Sequence, residues 1–215
     1  MQLFSNFETR FLKAEFLLWL SNFVSVHTLK FPLLISKLRY NYFVRFFREK
    51  STNKKDKIIM NDNEKLIHHF YNSFQQKDYA EMQKCYADNA VFSDEAFQNL
   101  NSAQVKAMWK MLCLRGKDLE LKFSNVTADE KKGSAEWIAN YTFSKTGRKV
   151  ENHIKANFEF ENGKIVKHID KFDFYKWISQ ALGFSGVLLG WTSFMQNKVR
   201  QTAMKSLHDF METDK

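Results

Sequence analysis

An aspartate and a histidine near residue 170 have the spacing of a proton-transfer pair. His168 and Asp170 are two residues apart in a segment where polar and apolar residues alternate. Side chains two apart on a β-strand share a face, so both would lie beside Val166 and Phe172. Burial among apolar neighbours raises the pKa of a carboxyl group, so Asp170 could exchange protons near neutral pH. The structural alternative is a carboxylate that simply pairs with His168 or with a lysine at the rim of the sheet.

The other reactive residue types form no signature for catalysis or metal binding. The sequence has no glycine-rich phosphate loop, no Ser–His–Asp signature and no metal-ligand spacing. His68 and His69 are adjacent, which makes them poor ligands for a metal ion. His153 falls on the polar side of its predicted strand, which favours solvent or a dimer face. Only two cysteines are present, which excludes a disulfide scaffold or a thiolate cluster. We therefore predict no metal and no cofactor.

Three amphipathic helices are predicted in the first half of the region that follows residue 60. Asn63 can cap the first of them, in which apolar residues recur every three or four positions. A turn at Asp88-Asn89 is expected to lead from the short second helix into a short strand over residues 90–94. Gly116 lies just past the third helix, where a left-handed C-cap costs little.

From residue 118 the apolar period changes to two, which predicts four further strands. Turn residues separate them, including Asn162-Gly163, a strong hairpin signal. The last strand is predicted over residues 165–174. The resulting order, α-α-β-α-β-β-β-β, indicates an α+β domain in which a curved antiparallel sheet is wrapped on helices.

The tail of the chain returns to helical spacing. We expect an apolar helix from Phe174, then a loop punctuated by Gly183, Gly186 and Gly190, then a last helix with many Lys and Arg residues on its polar side. This gives three predicted parts: an extension over residues 1–59, a domain over 60–175 and a helical C-terminal extension over 176–215.

The formal charge of +9 is concentrated in the first part of the chain. Residues 1–59 carry 11 basic and 4 acidic residues, whereas residues 60–215 carry 22 and 20. The main domain therefore lacks a basic stripe that would bind phosphates, and we predict no nucleic-acid partner. Three interpretations of residues 1–59 stay open: a membrane-surface arm, a poor membrane anchor, or sequence upstream of a true start at Met60. Lys30 weakens the anchor, and no clean secretory cleavage site follows, so a cytoplasmic location is expected.

Several short segments resemble the nuclear transport factor 2-like superfamily, and within it the SnoaL-like proteins, which include polyketide cyclases and ketosteroid isomerases. The segments are Tyr71–Phe74, Lys77-Asp78, Cys85–Phe92 and Gly163–Asp170. The resemblance covers about residues 62–175. It implies a cone-shaped curved antiparallel sheet packed on three N-terminal helices, with an apolar ligand pocket inside and dimerisation through the sheet.

The same resemblance suggests roles for individual residues. Asp170 falls on the acid/base aspartate of polyketide cyclases, and Asp94 falls on the general base of ketosteroid isomerases. The two positions that donate hydrogen bonds to the oxyanion in the isomerases hold Phe70 and Ala156, which cannot donate. The predicted strands also lack the arginine used by limonene epoxide hydrolases. The residues expected to line the pocket and contact a substrate are Trp137, Tyr141, Phe172, Tyr71 and Trp109.

The favoured hypothesis is a small-molecule-binding protein that acts as a cofactor-free proton-transfer enzyme, an isomerase or a cyclase. Its catalytic residues would be Asp170, His168 and Asp94, its ligand apolar or polycyclic, and its assembly a homodimer. The alternative is a non-catalytic ligand- or protein-binding module of the same fold. A third hypothesis is a membrane-peripheral protein, with membrane contact through residues 1–59 aided by the basic last helix. An enclosed cavity shared by Asp170 and Asp94 would favour catalysis, and a cavity filled by Trp or Phe side chains would favour the module.

Overall fold

Three helices and one strand precede the main part of the sheet. The structure is a computed structural model that describes residues 60–214, so the predictions made for residues 1–59 lie outside the described residues. Helix α1 spans Asp62–Gln75, α2 Tyr79–Lys84, β1 Tyr86–Ser93 and α3 Ser102–Arg115. The three predicted helices are confirmed.

The start of α1 differs from the prediction by two residues. The N-cap is Asn61, whose side chain accepts a hydrogen bond from the backbone N–H of Glu64, while the Glu64 carboxylate accepts from the N–H of Asn61. This capping box satisfies two backbone donors of the first turn, which explains why Asn61 and not Asn63 begins the helix.

Two other local predictions in this region are wrong. Asp88-Asn89 makes no turn, because β1 already begins at Tyr86 and runs through both residues. Gly116 caps α3 with a φ of −78°, which is not left-handed. A Cβ at this position would lie 2.8 Å from the carbonyl oxygen of Leu112, so close approach of the backbone favours glycine here.

The sheet contains five strands in the order β1-β5-β4-β3-β2. Strand β2 spans Glu120–Ala128, β3 Lys132–Phe143, β4 Arg148–Glu161 and β5 Lys164–Lys171. Strands β2 to β5 pair antiparallel as predicted, but β1 pairs parallel to β5, so the sheet is mixed. Register shifts within three of the four pairings bend the strands, in keeping with a curved, open sheet.

The hairpin between β4 and β5 follows the predicted turn chemistry. Asn162 and Gly163 both have positive φ, 50° and 70°, as a type I′ turn requires. Strand β5 ends at Lys171, three residues earlier than predicted, because Asp173 caps the next helix by accepting from the N–H of Lys176.

The C-terminal extension is helical, as predicted, and contains one helix more than expected. Helix α4 spans Phe174–Leu182, α5 Phe184–Leu189 and α6 Ser193–Thr213, so the predicted glycine-rich loop encloses the short α5. Helix α6 lies against α3, where Leu207 is buried and Lys110 pairs with Asp214 at 2.6 Å.

The core lies between the sheet and helices α1, α2 and α3, and it is rich in aromatic residues. Among its largest fully buried side chains are Phe70, Tyr71, Phe92, Trp109 and Phe158. In the part of the chain that the structure describes, no helix combines the length and apolar character needed to cross a membrane.

Candidate active site

His168 and Asp170 occupy the inner face of β5, as the alternation of residues predicts. Strand β5 lies between β1 and β4, so both side chains point from an interior strand toward the helices. The side chain of His168 is 0% exposed and that of Asp170 is 3% exposed. These two polar groups are therefore part of the core rather than of the rim.

A chain of hydrogen bonds runs through this pair. The indole Nε1–H of Trp109 donates to the hydroxyl oxygen of Tyr86 at 2.9 Å, and this hydroxyl lies 2.7 Å from Nδ1 of His168. The other ring nitrogen, Nε2, lies 3.0 Å from Oδ1 of Asp170. Since an indole can only donate, every group is satisfied when Tyr86 donates to Nδ1 and Nε2–H donates to the carboxylate. The arrangement therefore favours the tautomer of His168 that carries its hydrogen on Nε2.

Aromatic rings surround the imidazole of His168. Its centroid lies 4.3 Å from the ring of Phe158, 5.1 Å from Phe92, 5.8 Å from Phe70 and 6.0 Å from Trp109. These rings come from β4, β1, α1 and α3, so the space around His168 is filled from both the sheet and the helices.

The carboxylate of Asp170 also lies in an enclosed place. It sits opposite Ala156 of β4 and is within 3.4 Å of the indole Nε1 of Trp137, a long hydrogen bond. Burial raises the pKa of the neighbouring Tyr71 hydroxyl well above its usual value, and the charge of Asp170 adds to this rise. The Tyr71 hydroxyl is buried and finds no hydrogen-bond partner among residues 60–214.

Asp94 lies apart from this pair, directly after the end of β1, and is only partly buried. Its Oδ1 accepts hydrogen bonds from the backbone N–H groups of Ala96 and Phe97, at 2.7 and 2.5 Å. Burial raises the pKa of Asp94 to about 7; the charge of Asp170 adds to the rise, and the two backbone donors oppose it. Asp94 is therefore close enough to Asp170 to sense its charge, but it shares no hydrogen bond with it.

The five residues predicted to contact a substrate separate into two groups. Tyr71, Trp109 and Trp137 belong to the packed core, with exposures of 0%, 1% and 9%. Tyr141 and Phe172 are partly exposed.

Two residues that hydrogen-bond to predicted site residues were not themselves predicted as parts of the site. Tyr86 begins β1, and its hydroxyl lies within hydrogen-bond distance of His168. Trp177, on α4, donates to the Tyr141 hydroxyl at 2.7 Å. The sequence carries no signal for either contact, because both join residues that are distant in the chain.

Two surface pockets lie on the β2–β3 side of the sheet. One, of about 390 Å³, follows the turn between these strands, and the other, of about 250 Å³, is lined by residues of β2, β3 and β4 that include Lys122, Glu136 and His153. Neither is lined by Asp170 or Asp94. Within residues 60–214, no group of three or more His, Cys, Asp or Glu side chains could hold a metal ion.

Comparisons with known proteins identify the fold of this site. Residues 67–168 match the SnoaL-like domain. An NTF2-like protein of Burkholderia pseudomallei has 16% identity and a TM-score of 0.51, over 57% of this chain and 98% of its own. An LEH-like epoxide hydrolase of M. tuberculosis (18% identity, TM-score 0.48) covers 60% of this chain and 96% of its own. A proposed polyketide cyclase of Xanthomonas campestris pv. campestris has 15% identity and a TM-score of 0.48. The match covers 56% of this chain and 96% of the cyclase. The search of curated proteins gives no match.

Proposed function

Since residues 67–168 form a SnoaL-like domain, we propose that this chain uses the nuclear transport factor 2-like fold as a non-catalytic binding module. One observation supports this proposal most: the interior that could hold a substrate is packed with aromatic side chains. The rings of Phe158, Phe92 and Trp109 enclose His168, and Asp170 is almost entirely removed from solvent. A carboxylate can act as an acid or base only where a reacting group can come within hydrogen-bond reach.

The buried polar network then has a structural role. Trp109, Tyr86, His168 and Asp170 satisfy one another, and a buried polar network with all partners present makes a core specific and rigid. Such a core positions the outer surfaces of the domain, which would carry the binding function.

A ligand screen by thermal shift tests this proposal on the full chain. Bicyclic and polycyclic ketones and epoxides should leave the melting temperature unchanged. Phe123→Ala provides a positive control, because the Phe123 ring stacks on Tyr71 at 5.1 Å and its removal opens space beside the core. We expect this variant, and not the parent protein, to gain stability from small apolar ligands. A ligand that stabilises the parent protein and loses this effect in Asp170→Asn would overturn the proposal.

A second candidate function rests on Asp94. This carboxyl group is partly exposed, and its pKa of about 7 suits a general base near neutral pH. The nearby Tyr141 hydroxyl has a pKa raised mainly by burial and also by the charge of Asp94. In this mechanism Asp94 would remove a proton from a carbon beside a carbonyl group and return it to another carbon of the same substrate. A ketone that stabilises the parent protein but not Asp94→Asn would support this candidate.

A further inference from the structure

The short helix α5, the turn that follows it and the first turn of α6 expose several large apolar side chains. Phe184 is 80% exposed, and Trp191 and Phe194 are each 70% exposed. We call this surface the apolar corner; its members are Phe184, Val187, Leu188, Leu189, Trp191 and Phe194. Isolated exposed apolar residues are ordinary, but a cluster of six over eleven positions marks an interaction surface.

Close packing against α4 holds the apolar corner in place. A Cβ at Gly186 would lie 2.3 Å from the carbonyl oxygen of Ile178, and one at Gly190 would lie 2.9 Å from the Ile178 side chain. The Tyr175 hydroxyl donates to the carbonyl oxygen of Val187 at 3.0 Å. The exposed side chains are therefore presented by a fixed backbone.

Two polar side chains of this segment, Trp191 and Thr192, donate to the backbone of α5. The Trp191 indole Nε1–H donates to the carbonyl oxygen of Leu188 at 3.0 Å. The backbone N–H and the hydroxyl of Thr192 both donate to the carbonyl oxygen of Leu189, at 2.9 and 2.6 Å. A segment that enters the apolar part of a bilayer needs this internal pairing, because lipid chains offer no hydrogen bonds. A protein partner could supply the missing hydrogen bonds itself, whereas lipid chains cannot.

Basic residues flank the apolar corner. No charged residue lies between Lys176 and Lys198 in the sequence, and both lysines are exposed. The guanidinium of Arg148 lies within about 3.1 Å of where a Cβ on Gly183 would be, at the start of α5. A symmetric contact between two copies would bring the same cations together, whereas anionic lipid headgroups would pair with them.

From these observations we propose that the apolar corner inserts into the surface of a phospholipid bilayer that contains anionic lipids. Trp191 and its neighbours lie at the boundary between headgroups and acyl chains, where Trp side chains are favoured. The sequence alone predicted membrane contact through residues 1–59, aided by the basic last helix. This inference rests on the proposed binding function, for which it names the partner, but it does not depend on the packing of the interior.

The test is co-sedimentation of the full chain with vesicles of phosphatidylcholine and phosphatidylserine. The double variant Phe184→Ser, Trp191→Ser should reduce the vesicle-bound to free ratio by roughly ten-fold or more, since it removes two of the most exposed rings. Leu114→Ser is the matched control, because Leu114 is 52% exposed on α3, outside the apolar corner. This control should bind as the parent protein does.

A spectroscopic variant separates insertion from loose adsorption. Vesicles should shift the emission of the parent protein to shorter wavelength. Trp191→Phe should keep the binding, because the ring of Phe remains apolar. It should lose most of the emission shift, because it removes the indole that enters the bilayer surface.

Three results would overturn the inference. The parent protein could fail to bind the vesicles. The double variant could bind as well as the control, in which case residues outside the apolar corner, including 1–59, carry the contact. Finally, the parent protein could bind no vesicles and form a dimer, while the double variant is a monomer. That result would assign the surface to a second copy. The result of the ligand screen, whether or not a ligand stabilises the protein, does not change vesicle binding. The two proposals can therefore fail separately.

Discussion

The Nε2 atom of His168 lies 3.0 Å from Oδ1 of Asp170, two residues further along β5, and neither side chain reaches solvent to more than 3%. The two groups face the same way because strand geometry places alternate residues on one face. Further hydrogen bonds connect this pair to the rest of the core. The second nitrogen of His168, Nδ1, hydrogen-bonds to the Tyr86 hydroxyl, and this hydroxyl accepts a hydrogen bond from Trp109. The pair is therefore the end of a buried network that ties α3, β1 and β5 together.

Removal of the carboxylate should destabilise the fold. In Asp170→Ala the Nε2–H of His168 and the indole N–H of Trp137 lose their acceptor while remaining buried. An unsatisfied buried donor costs about 1–3 kcal/mol, so we expect the free energy of unfolding to fall by about 3 kcal/mol in urea denaturation. Asp88→Ala is the control, since the Asp88 side chain is fully exposed, and it should change stability by less than about 0.5 kcal/mol. Equal stability of the two variants would mean that the buried pair contributes nothing.

The hydrogen-bond chain predicts one tautomer of His168. Nitrogen-15 NMR at neutral pH should show Nε2 carrying the proton and Nδ1 acting as an acceptor, because Trp109 leaves the Tyr86 hydroxyl hydrogen free to point at Nδ1. Tyr86→Phe removes that donor and should move the Nδ1 resonance.

The matched control for this prediction is Tyr175→Phe, which removes a surface hydroxyl bonded to Val187. It should leave the His168 resonances unchanged. Protonation of both ring nitrogens in the parent protein would show instead that the pair is an imidazolium–carboxylate.

Asp94 should make the protein less stable as the pH rises from about 4 to about 7. Its pKa is 3.8 in its ordinary state and about 7 in the folded protein, chiefly because of burial. In this window the folded state holds the proton while the unfolded chain has lost it, so the free energy of unfolding falls with rising pH and levels off above 7. Each pKa unit corresponds to about 1.4 kcal/mol, which limits the total effect to about 4 kcal/mol.

The variant Asp94→Asn keeps an acceptor for the N–H groups of Ala96 and Phe97, but its side chain cannot ionise. Urea denaturation at a series of pH values should therefore show a smaller fall in stability for Asp94→Asn than for the parent protein. Parallel curves for the two proteins would contradict a raised pKa at Asp94.

Local sequence patterns predicted the elements that depend on neighbours in the chain. The period of two located strands β2 to β5, and Asn162-Gly163 located their last hairpin because both residues tolerate positive φ. The parallel pairing of β1 with β5 was missed, since these strands are separated by more than seventy residues and no turn constrains their direction. Long-range pairing of this kind is set by the packing of the whole domain.

The sequence pattern also could not predict that aromatic side chains pack the interior of the domain. Trp109, Phe158 and Trp137 each occupy an ordinary apolar position on α3, β4 and β3. Whether their combined volume leaves a cavity depends on how three elements converge in space. Strand alternation predicted apolar neighbours for Asp170, but its nearly complete burial and the aromatic packing beside the His168–Asp170 pair are seen only in the structure.

Gly186 should be the least replaceable glycine of the C-terminal extension. A Cβ there would lie 2.3 Å from the carbonyl oxygen and 2.9 Å from the carbonyl carbon of Ile178, and these backbone atoms cannot rotate away. Gly186→Ala should therefore separate α5 from α4 and lower the free energy of unfolding by about 1–3 kcal/mol, as overpacking does. The matched control is Gly147→Ala, where nothing lies within 4 Å and only the positive φ of 70° opposes the change. Urea denaturation should rank Gly186→Ala as the more damaging variant, and hydrogen exchange should show faster exchange of the α5 amides in it alone. If both variants lose equal stability and α5 remains protected, the close contact with α4 does not hold the apolar corner in place.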